Sequence, residues 1–241
     1  MSEIWAVGFD LGETLLTYAD TPLSWSGLYG AALRESSRAI GVVLSDAQIA
    51  KAEAALAGFN TRLKPRAVEV PAGEIFKTVF EGWLLDPRAF DCAVEAFFRF
   101  FQQRLKAYDD SRAAVDELRS AGLKVGVLTD VPYGMPRAFV ERDLEQAGLG
   151  DLKSVLLTSV ETGYRKPEPA GFLSLAAALG VQPTAMMYVG NEPKDIAGAN
   201  AAGMVSVLID RDEKRLDYGQ RHTVTRLSEV REVAEKVASS G

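Results

Sequence analysis

The chain has 241 residues, of which 47% are hydrophobic and 25% are charged, a composition that supports a packed globular core. Its formal net charge of −6 argues against a general nucleic-acid binder and against a protein that adheres to anionic membranes. No apolar run reaches the roughly 18 residues of a spanning helix, and no secretory signal is visible, so we expect a cytoplasmic protein. The single cysteine, Cys92, excludes an internal disulfide and a cysteine-based zinc site.

The first predicted element is a buried strand from Ile4 to Phe9, which ends in Asp10 and a turn that contains glycine. In an open α/β sheet, ligands bind just beyond the carboxyl ends of the strands. Asp10 is therefore a candidate for chemistry, and the alternative is that it caps a following helix.

The long segment from about Trp25 to Tyr108 carries no strand signal and predicts a small bundle of four helices. Apolar residues recur at helical spacing in four stretches: Trp25 to Ala39, Asp46 to Leu56, Ala72 to Leu85 and Arg88 to Lys106. Ser45-Asp46 and Pro87 are typical of helix starts. The dense phenylalanines of the fourth stretch favour a core between helices over a ligand cage.

After Tyr108 the pattern alternates between helices and short apolar strands. The predicted strands are Leu123 to Leu128, Val155 to Leu157, Met186 to Val189 and Val205 to Ile209. The predicted helices are Ser111 to Ala121, Pro136 to Ala147, Ala170 to Leu179, Ile196 to Ala202 and Ser228 to Ala238. This alternation predicts an α/β fold with a doubly wound, Rossmann-like parallel sheet. Residues 1–17 and 108–241 would form this core, and residues 18–107 an inserted helical domain.

Polar side chains follow four of the predicted strands and should meet at one edge of the sheet: Asp10, Thr129, Asn191 with Asp195, and Asp210. The loop that carries Lys166 leaves from the same edge. A carboxylate, a hydroxyl and an ammonium group would converge there although they are distant in sequence.

These residues resemble the motifs of the haloacid dehalogenase superfamily of phosphohydrolases. Residues 10–15, Asp-Leu-Gly-Glu-Thr-Leu, resemble its first motif, Asp-x-Asp-Gly-Thr-Leu, and Thr129 resembles the Ser or Thr of its second. Residues 165–169, Arg-Lys-Pro-Glu-Pro, resemble the third motif, and residues 189–195, Val-Gly-Asn-Glu-Pro-Lys-Asp, the fourth. The order and spacing fit throughout, and the helical insert matches the helical cap of that family.

The resemblance implies a phosphatase that acts on a small phosphorylated metabolite. Asp10 would be the nucleophile and would form an aspartyl-phosphate. Thr129 and Lys166 would complete the catalytic set, and both would bind the phosphoryl group together with Asp130. The net charge and the lack of a long apolar run predict no nucleic-acid and no membrane partner, and the oligomeric state stays open.

The resemblance also implies a bound Mg²⁺, which would bridge the nucleophile and the phosphoryl group. The predicted ligands are Asp10, the backbone carbonyl of Gly12, Asn191 and Asp195. Oxygen ligands of this kind suit Mg²⁺.

The sequence departs from the motifs at three positions. Gly12 replaces the second aspartate of the first motif, which protonates the leaving group in the family. Glu13 replaces the usual glycine, and we expect its carboxylate to point elsewhere. Asn191 replaces the usual first aspartate of the fourth motif and can still ligate through its amide oxygen.

Two alternatives remain open. A 2-haloacid dehalogenase would use the same aspartate without a metal, but Phe172 and Asp130 stand where dehalogenases usually have tyrosine and asparagine. A catalytically weak binding or regulatory protein is the other alternative, and Gly12 and Asn191 support it. The basic residues Arg62, Lys64 and Arg66 could meet a second anionic group of a substrate, although a solvated loop is the more common role of such a cluster.

Overall fold

The computed structural model describes residues 3–18, 22–102 and 105–239, and a parallel six-stranded sheet lies at the centre of the fold. The strands are β1 Ala6–Phe9, β2 Leu16–Tyr18, β3 Leu105–Ala107, β4 Lys124–Thr129, β5 Leu156–Thr158, β6 Met186–Gly190, β7 Val205–Ile209 and β8 His222–Val224. The main sheet has the order β5-β4-β1-β6-β7-β8. The chain starts in the middle, builds one side and returns to build the other, so a switch point lies beside β1.

Ten α-helices surround this sheet or form the insert within the described residues. The helices are α1 Tyr29–Ala39, α2 Asp46–Phe59, α3 Ala72–Val79, α4 Pro87–Phe101, α5 Ser111–Ser120, α6 Arg137–Gln146, α7 Ser159–Thr162, α8 Pro169–Leu179, α9 Pro193–Ala201 and α10 Val230–Ser239. The first four lie between β2 and β3. The predicted fold class, a doubly wound parallel sheet with a helical insert, is confirmed. No described helix combines the length and the apolar character that a membrane crossing requires.

The strands are apolar runs because helices cover both faces of the sheet. Every residue of β1, β6 and β7 is buried. Such strands place all of their side chains in packing, so polar groups that follow them at the carboxyl edge are available for other roles.

The helical insert forms for reasons that its sequence displays. Ser45 caps α2 by accepting a hydrogen bond from the backbone N–H of Gln48 at 3.3 Å, and Asp86 caps α4 ahead of Pro87. The phenylalanines pack edge to face, with ring centroids 4.9 Å apart for Phe76 and Phe97. The predicted helix starts and the predicted role of the phenylalanines in the core are confirmed.

Three short strands were not predicted. Leu105–Ala107 pairs antiparallel with Leu16–Tyr18 as a two-stranded ribbon at the base of the insert, and β8 extends the main sheet. The prediction that the fourth helix continues to Lys106 is wrong, because α4 ends at Phe101 and a strand follows; Gln103 and Arg104 lie outside the described residues. Segments of three residues are too short to display a periodicity.

A loop of the insert reaches the core by main-chain contacts. The N–H of Arg165 donates to the carbonyl of Ala67 at 2.7 Å, and the N–H of Glu69 donates to the carbonyl of Gly163 at 2.9 Å. Gly134 adopts a φ of +61°, and a Cβ at this position would overlap the carbonyl oxygen of Val70. The insert therefore sits directly on the carboxyl edge of the sheet.

Candidate active site

A cavity of about 410 Å³ lies between the carboxyl edge of the sheet and the helical insert. Asp10 follows β1, Thr129 ends β4, Lys166 precedes α8 and Asn191 follows β6, and all four line the cavity. The structure thus brings these predicted site residues together. Asp210, the other polar strand end, instead accepts hydrogen bonds from the main chain of its own loop.

Lys166 is the centre of a buried charge cluster. Its Nζ lies 2.5 Å from Asp10 Oδ1 and 2.6 Å from Asp195 Oδ1. Burial alone lowers the pKa of Lys166, but Asp10 and Asp195 outweigh it and leave the pKa well above its usual value. The lysine is therefore charged throughout the physiological range.

The carboxylate of Asp10 is less strongly held in its charged form. Burial raises its pKa from 3.8 to about 6, with Asp195 acting in the same direction and Lys166 opposing both. A nucleophile must be ionised, and Asp10 meets this condition above a pH of about 6.

Asp195 faces Lys166 and the main chain rather than the cavity. Its Oδ2 accepts hydrogen bonds from the N–H groups of Asn191 at 3.1 Å and Glu192 at 2.9 Å, and the side chain is fully buried. Asn191 lines the cavity, and its Oδ1 accepts a hydrogen bond from Thr14 at 3.3 Å. This geometry favours Asn191 over Asp195 as a direct metal ligand, and Asp195 shapes the loop that presents it.

The two residues at the end of β4 have different surroundings. The Thr129 hydroxyl lies 3.5 Å from the carbonyl oxygen of Asp130, which is long for a hydrogen bond, so the hydroxyl can reach a ligand instead. The Asp130 carboxylate accepts the N–H of Lys166 at 3.0 Å and contacts Lys194 Nζ at 3.1 Å. Any phosphate contact from Asp130 would therefore use its main-chain N–H rather than its side chain.

Asp130 also remains ionised. Burial raises the pKa of its carboxyl group, but Lys194, Lys166 and Arg165 together bring the pKa below 3.8. Because this charge is paired, it does not repel an anionic substrate as strongly as the sequence alone suggests.

The first-motif turn contains no free carboxylate at the position of the family's acid. Gly12 has no atom within 4 Å of a Cβ built on it, and its φ is not in the left-handed region. Glu13 has a left-handed φ of 57°, and its carboxylate accepts hydrogen bonds from Thr17 at 2.7 Å and Tyr108 at 2.8 Å. Glu13 is thus occupied by its neighbours.

Tyr188 is part of the site, although the sequence analysis assigned it no role. Its hydroxyl donates to the carbonyl of Leu128 at 2.7 Å and accepts a hydrogen bond from Lys166 Nζ at 3.2 Å. Phe172 packs against its ring at 4.7 Å. Tyr188 lies within an apolar strand and looks like a core residue, and only the register of β6 beside β1 could have indicated its role.

The residues at the cavity fit a magnesium ion. Asp10 offers a carboxylate, Gly12 a main-chain carbonyl and Asn191 an amide oxygen, and all of these are hard oxygen donors. Within the described residues no group of three His, Cys, Asp or Glu side chains is arranged to hold a metal. One carboxylate with neutral oxygens, waters and a substrate phosphate is a set that Mg²⁺ accepts.

The insert closes the cavity through ion pairs with the core. Arg62 is paired with Glu192 of the fourth motif, whose other oxygen lies 2.9 Å from Lys194. Buried Glu69 is paired with Arg66 of its own loop at 2.9 Å and with Arg165 of the third motif. Of the basic cluster Arg62, Lys64 and Arg66, two members are thus engaged in ion pairs, whereas Lys64 is exposed.

Comparison with known proteins agrees with this geometry. A sequence profile of haloacid dehalogenase-like hydrolases matches residues 4–203, and the chain belongs to this family of hydrolases. It is 33% identical over 147 residues to Phosphatase MT3486 of Mycobacterium tuberculosis, a match that covers 61% of this chain and 65% of that protein. The chain thus spans just under two thirds of the length of that relative.

Two solved structures have the same fold. A HAD (haloacid dehalogenase) phosphatase from Thermococcus onnurineus superposes with a TM-score of 0.65 at 24% identity, covering 95% of this chain and 97% of that one. A 2-haloacid dehalogenase from Pseudomonas syringae superposes with a TM-score of 0.69 at 23% identity, covering 98% and 100%. The fold is therefore shared by a protein named as a phosphatase and by one named as a dehalogenase, so the fold alone does not identify the reaction.

Proposed function

We propose that this protein is a Mg²⁺-dependent phosphatase of a small phosphorylated metabolite and that Asp10 forms an aspartyl-phosphate during turnover. The observation that carries the proposal is the buried Asp10–Lys166 pair, which lies beside the available Thr129 hydroxyl at the cavity. Phosphatase MT3486, which is 33% identical over the matched residues, supports the same reaction class.

Each residue has a role that follows from its position. An Asp10 oxygen attacks phosphorus, the ester P–O bond breaks, and the alcohol oxygen leaves. Thr129 donates a hydrogen bond to a phosphoryl oxygen, and Lys166 offsets the negative charge that gathers around Asp10. A water molecule then hydrolyses the aspartyl-phosphate and releases inorganic phosphate with a regenerated carboxylate.

Mg²⁺, held by Asp10, the Gly12 carbonyl and Asn191, would supply positive charge to the phosphoryl group. The departing oxygen receives no proton from position 12, because Gly12 has no side chain and Glu13 is bonded to Thr17 and Tyr108. Leaving groups that are stable anions should therefore depart more readily than alkoxides.

Hydrolysis of p-nitrophenyl phosphate with Mg²⁺ and with EDTA tests the proposal. We expect turnover that EDTA abolishes and Mg²⁺ restores. Acid quenching during turnover should trap protein that is heavier by one phosphoryl group, and hydroxylamine should remove the added mass. Absence of both hydrolysis and adduct would contradict the proposal.

A 2-haloacid dehalogenase is the second candidate, because Tyr188 places a hydroxyl beside Lys166 even though Phe172 occupies the usual tyrosine position. The paired state of Asp130 also removes one argument against an anionic haloacid. Release of chloride from 2-chloropropionate in EDTA, without phosphatase activity, would establish this reaction instead.

A further inference from the structure

Part of the cavity wall that the insert supplies is apolar and aromatic, although Asn60, Thr61 and Gln102 also line it. Four side chains of the insert contribute to it: Leu23, Trp25, Phe59 and Phe101. Tyr133 and Met135 join them from the loop after β4. A substrate that places its phosphoryl group at Asp10 must set the rest of its structure against this wall.

Stacked rings hold the aromatic part of the wall in place. The ring of Trp25 is stacked on Phe101, with centroids 3.8 Å apart and an interplanar angle of 5°, and the ring of Tyr133 lies 5.6 Å from Trp25 at an interplanar angle of 29°. The Tyr133 hydroxyl is in turn hydrogen-bonded to Tyr29, which accepts from Asn60 at 2.8 Å. Rigid rings bind a planar apolar group with little loss of conformational freedom.

The cations at the cavity already have partners within the described part of the chain. Arg62 and Lys194 are paired with Glu192, and Lys194 also contacts Asp130. Arg66 donates to the carbonyl of Phe59 at 2.7 Å and to Glu69.

The two remaining cations are equally engaged. Arg165 is paired with Glu69 and donates to the carbonyl of Val131 at 2.8 Å, and Lys166 lies between Asp10 and Asp195. Lys64, the third basic residue of the insert loop, is exposed and does not line the cavity. A second anionic group on a substrate would have to compete with the carboxylates that already pair with these cations.

We infer that the substrate is a phosphomonoester whose alcohol portion is uncharged and carries an apolar, planar group that lies against Trp25 and its neighbours. This inference rests on the proposed phosphatase function and adds to it the chemical class of the substrate. It excludes esters whose second anionic group is a carboxylate or another phosphate.

Benzyl phosphate and phosphoglycolate test this choice with Mg²⁺ present. Both release a primary alkoxide, so the absence of an acid at position 12 affects them alike. We expect kcat/KM to favour benzyl phosphate by at least about tenfold, mainly through KM. A smaller preference, or any preference for phosphoglycolate, overturns the inference.

Variants of Leu23 provide the second measurement, since this side chain borders the cavity and is 68% exposed, so that substitution should be tolerated. Leu23→Arg adds a cation without a partner. It should lower the ratio of kcat/KM for benzyl phosphate to kcat/KM for phosphoglycolate by about threefold or more. Leu23→Gln removes apolar surface without adding charge and should not raise kcat/KM for phosphoglycolate. Val43→Arg, at an exposed position that does not line the cavity, controls for net charge.

The outcomes separate the two proposals. If neither ester nor p-nitrophenyl phosphate is hydrolysed, the phosphatase function fails. If p-nitrophenyl phosphate is hydrolysed and phosphoglycolate equals benzyl phosphate, only the substrate class is wrong. If Leu23→Arg and Val43→Arg raise kcat/KM for phosphoglycolate equally, the inferred substrate class is also overturned. The gain would then come from the net charge of the protein and not from a cation at the cavity.

Discussion

Asp10 is the residue on which the proposed chemistry depends most directly. Asp10→Asn should lower kcat on p-nitrophenyl phosphate to below about a hundredth of the wild-type value, because an amide is not a comparable nucleophile. Asp46→Asn, at an exposed position at the start of α2, should keep its activity. Steady-state kinetics at saturating Mg²⁺ make the comparison, and substantial turnover by Asp10→Asn would exclude the covalent route.

Gly12 permits a test of the missing acid. Gly12→Asp should raise turnover of alkyl phosphates, because general acid help typically contributes about 10²- to 10⁴-fold. The surrounding space is open and the φ is ordinary, so the side chain fits. Gly12→Asn is the matched control, since it has the same shape and no acidic proton. The measurement is kcat/KM for benzyl phosphate in wild type, Gly12→Asp and Gly12→Asn. An equal gain in Gly12→Asn would disprove the proposed role of the acid.

The buried carboxyl of Asp10 predicts how stability depends on pH. Its pKa is raised from 3.8 to about 6 in the folded protein, so the folded state binds the proton more tightly than the unfolded state. The free energy of unfolding should therefore fall as pH rises from about 4 to about 6 and change little from this source above that range. Asp10→Asn should lose this dependence and become more stable than wild type at pH 7.5 by on the order of 2–3 kcal/mol.

Urea unfolding in EDTA at pH 5.0 and 7.5 measures this difference for both proteins. EDTA is needed because a bound cation would hold Asp10 in its charged form. If wild type has the larger free energy of unfolding at pH 7.5, Lys166 stabilises the Asp10 carboxylate more than burial destabilises it.

Some of these residues could be predicted from the sequence and others could not. Asp10, Thr129 and Asn191 each follow an apolar strand, and the carboxyl edge of a parallel sheet brings such residues together. Tyr188 could not be found in this way, because its ring belongs to the core and only its hydroxyl reaches Lys166. The contacts of Asp195 depend on the turn that begins α9, which the motif does not reveal.

Among the larger elements, the long amphipathic helices and the buried strands could be predicted because they repeat a pattern over many residues. The β2–β3 ribbon could not, since each of its strands has only three residues. Its pairing joins residues about 90 positions apart in the chain, Leu16 with Ala107, and such a contact leaves no local signal.

The loop before α3 carries Glu69, whose buried ion pairs join the insert to the core beside the cavity. Glu69 has a side chain only 1% exposed and is paired with Arg66 and Arg165. Glu69→Ala should lower the free energy of unfolding by about 3 kcal/mol or more, because it removes the near partner of buried Arg165 and leaves only the longer contact with Asp130 at 3.7 Å. Glu95→Ala breaks only exposed pairs, with Arg99 of α4 and Arg142 of α6, and should cost less than about 1 kcal/mol. Chemical denaturation of both variants gives the comparison, and equal losses would show that burial adds nothing to the Glu69 pairs.

Considered as a whole, the cavity lies between an edge of the sheet, which carries the proposed catalytic residues, and a wall that the insert supplies. Asp10, Thr129 and Lys166 belong to the core, whereas Trp25 and Phe59 belong to the insert. Neither part forms the cavity alone, so we expect substrate choice to depend on how closely the insert lies on the core. Main-chain hydrogen bonds at Ala67 and Glu69 fix that approach on one side.

Gly134 fixes the approach of the insert at a second place and gives the most direct test of it. Gly134→Ala would bring a Cβ into the carbonyl oxygen of Val70 and would also strain a left-handed backbone. Gly148→Ala has the same backbone strain, at a φ of +71°, but no atom lies within 4 Å of the added Cβ. The strain of the left-handed backbone alone should lower the free energy of unfolding of each variant by about 1 kcal/mol.

The difference between these two variants therefore isolates the contact between insert and core. We expect Gly134→Ala to lose at least about 2 kcal/mol more stability than Gly148→Ala, since backbone atoms must move to admit the methyl group. It should also raise KM for p-nitrophenyl phosphate, because the loop that carries Tyr133 and Met135 shifts with position 134. Thermal unfolding and steady-state kinetics of the pair measure both effects. Equal stability and equal KM for the two variants would show that the insert can move away from the core without loss, and the aromatic wall would then not select the substrate.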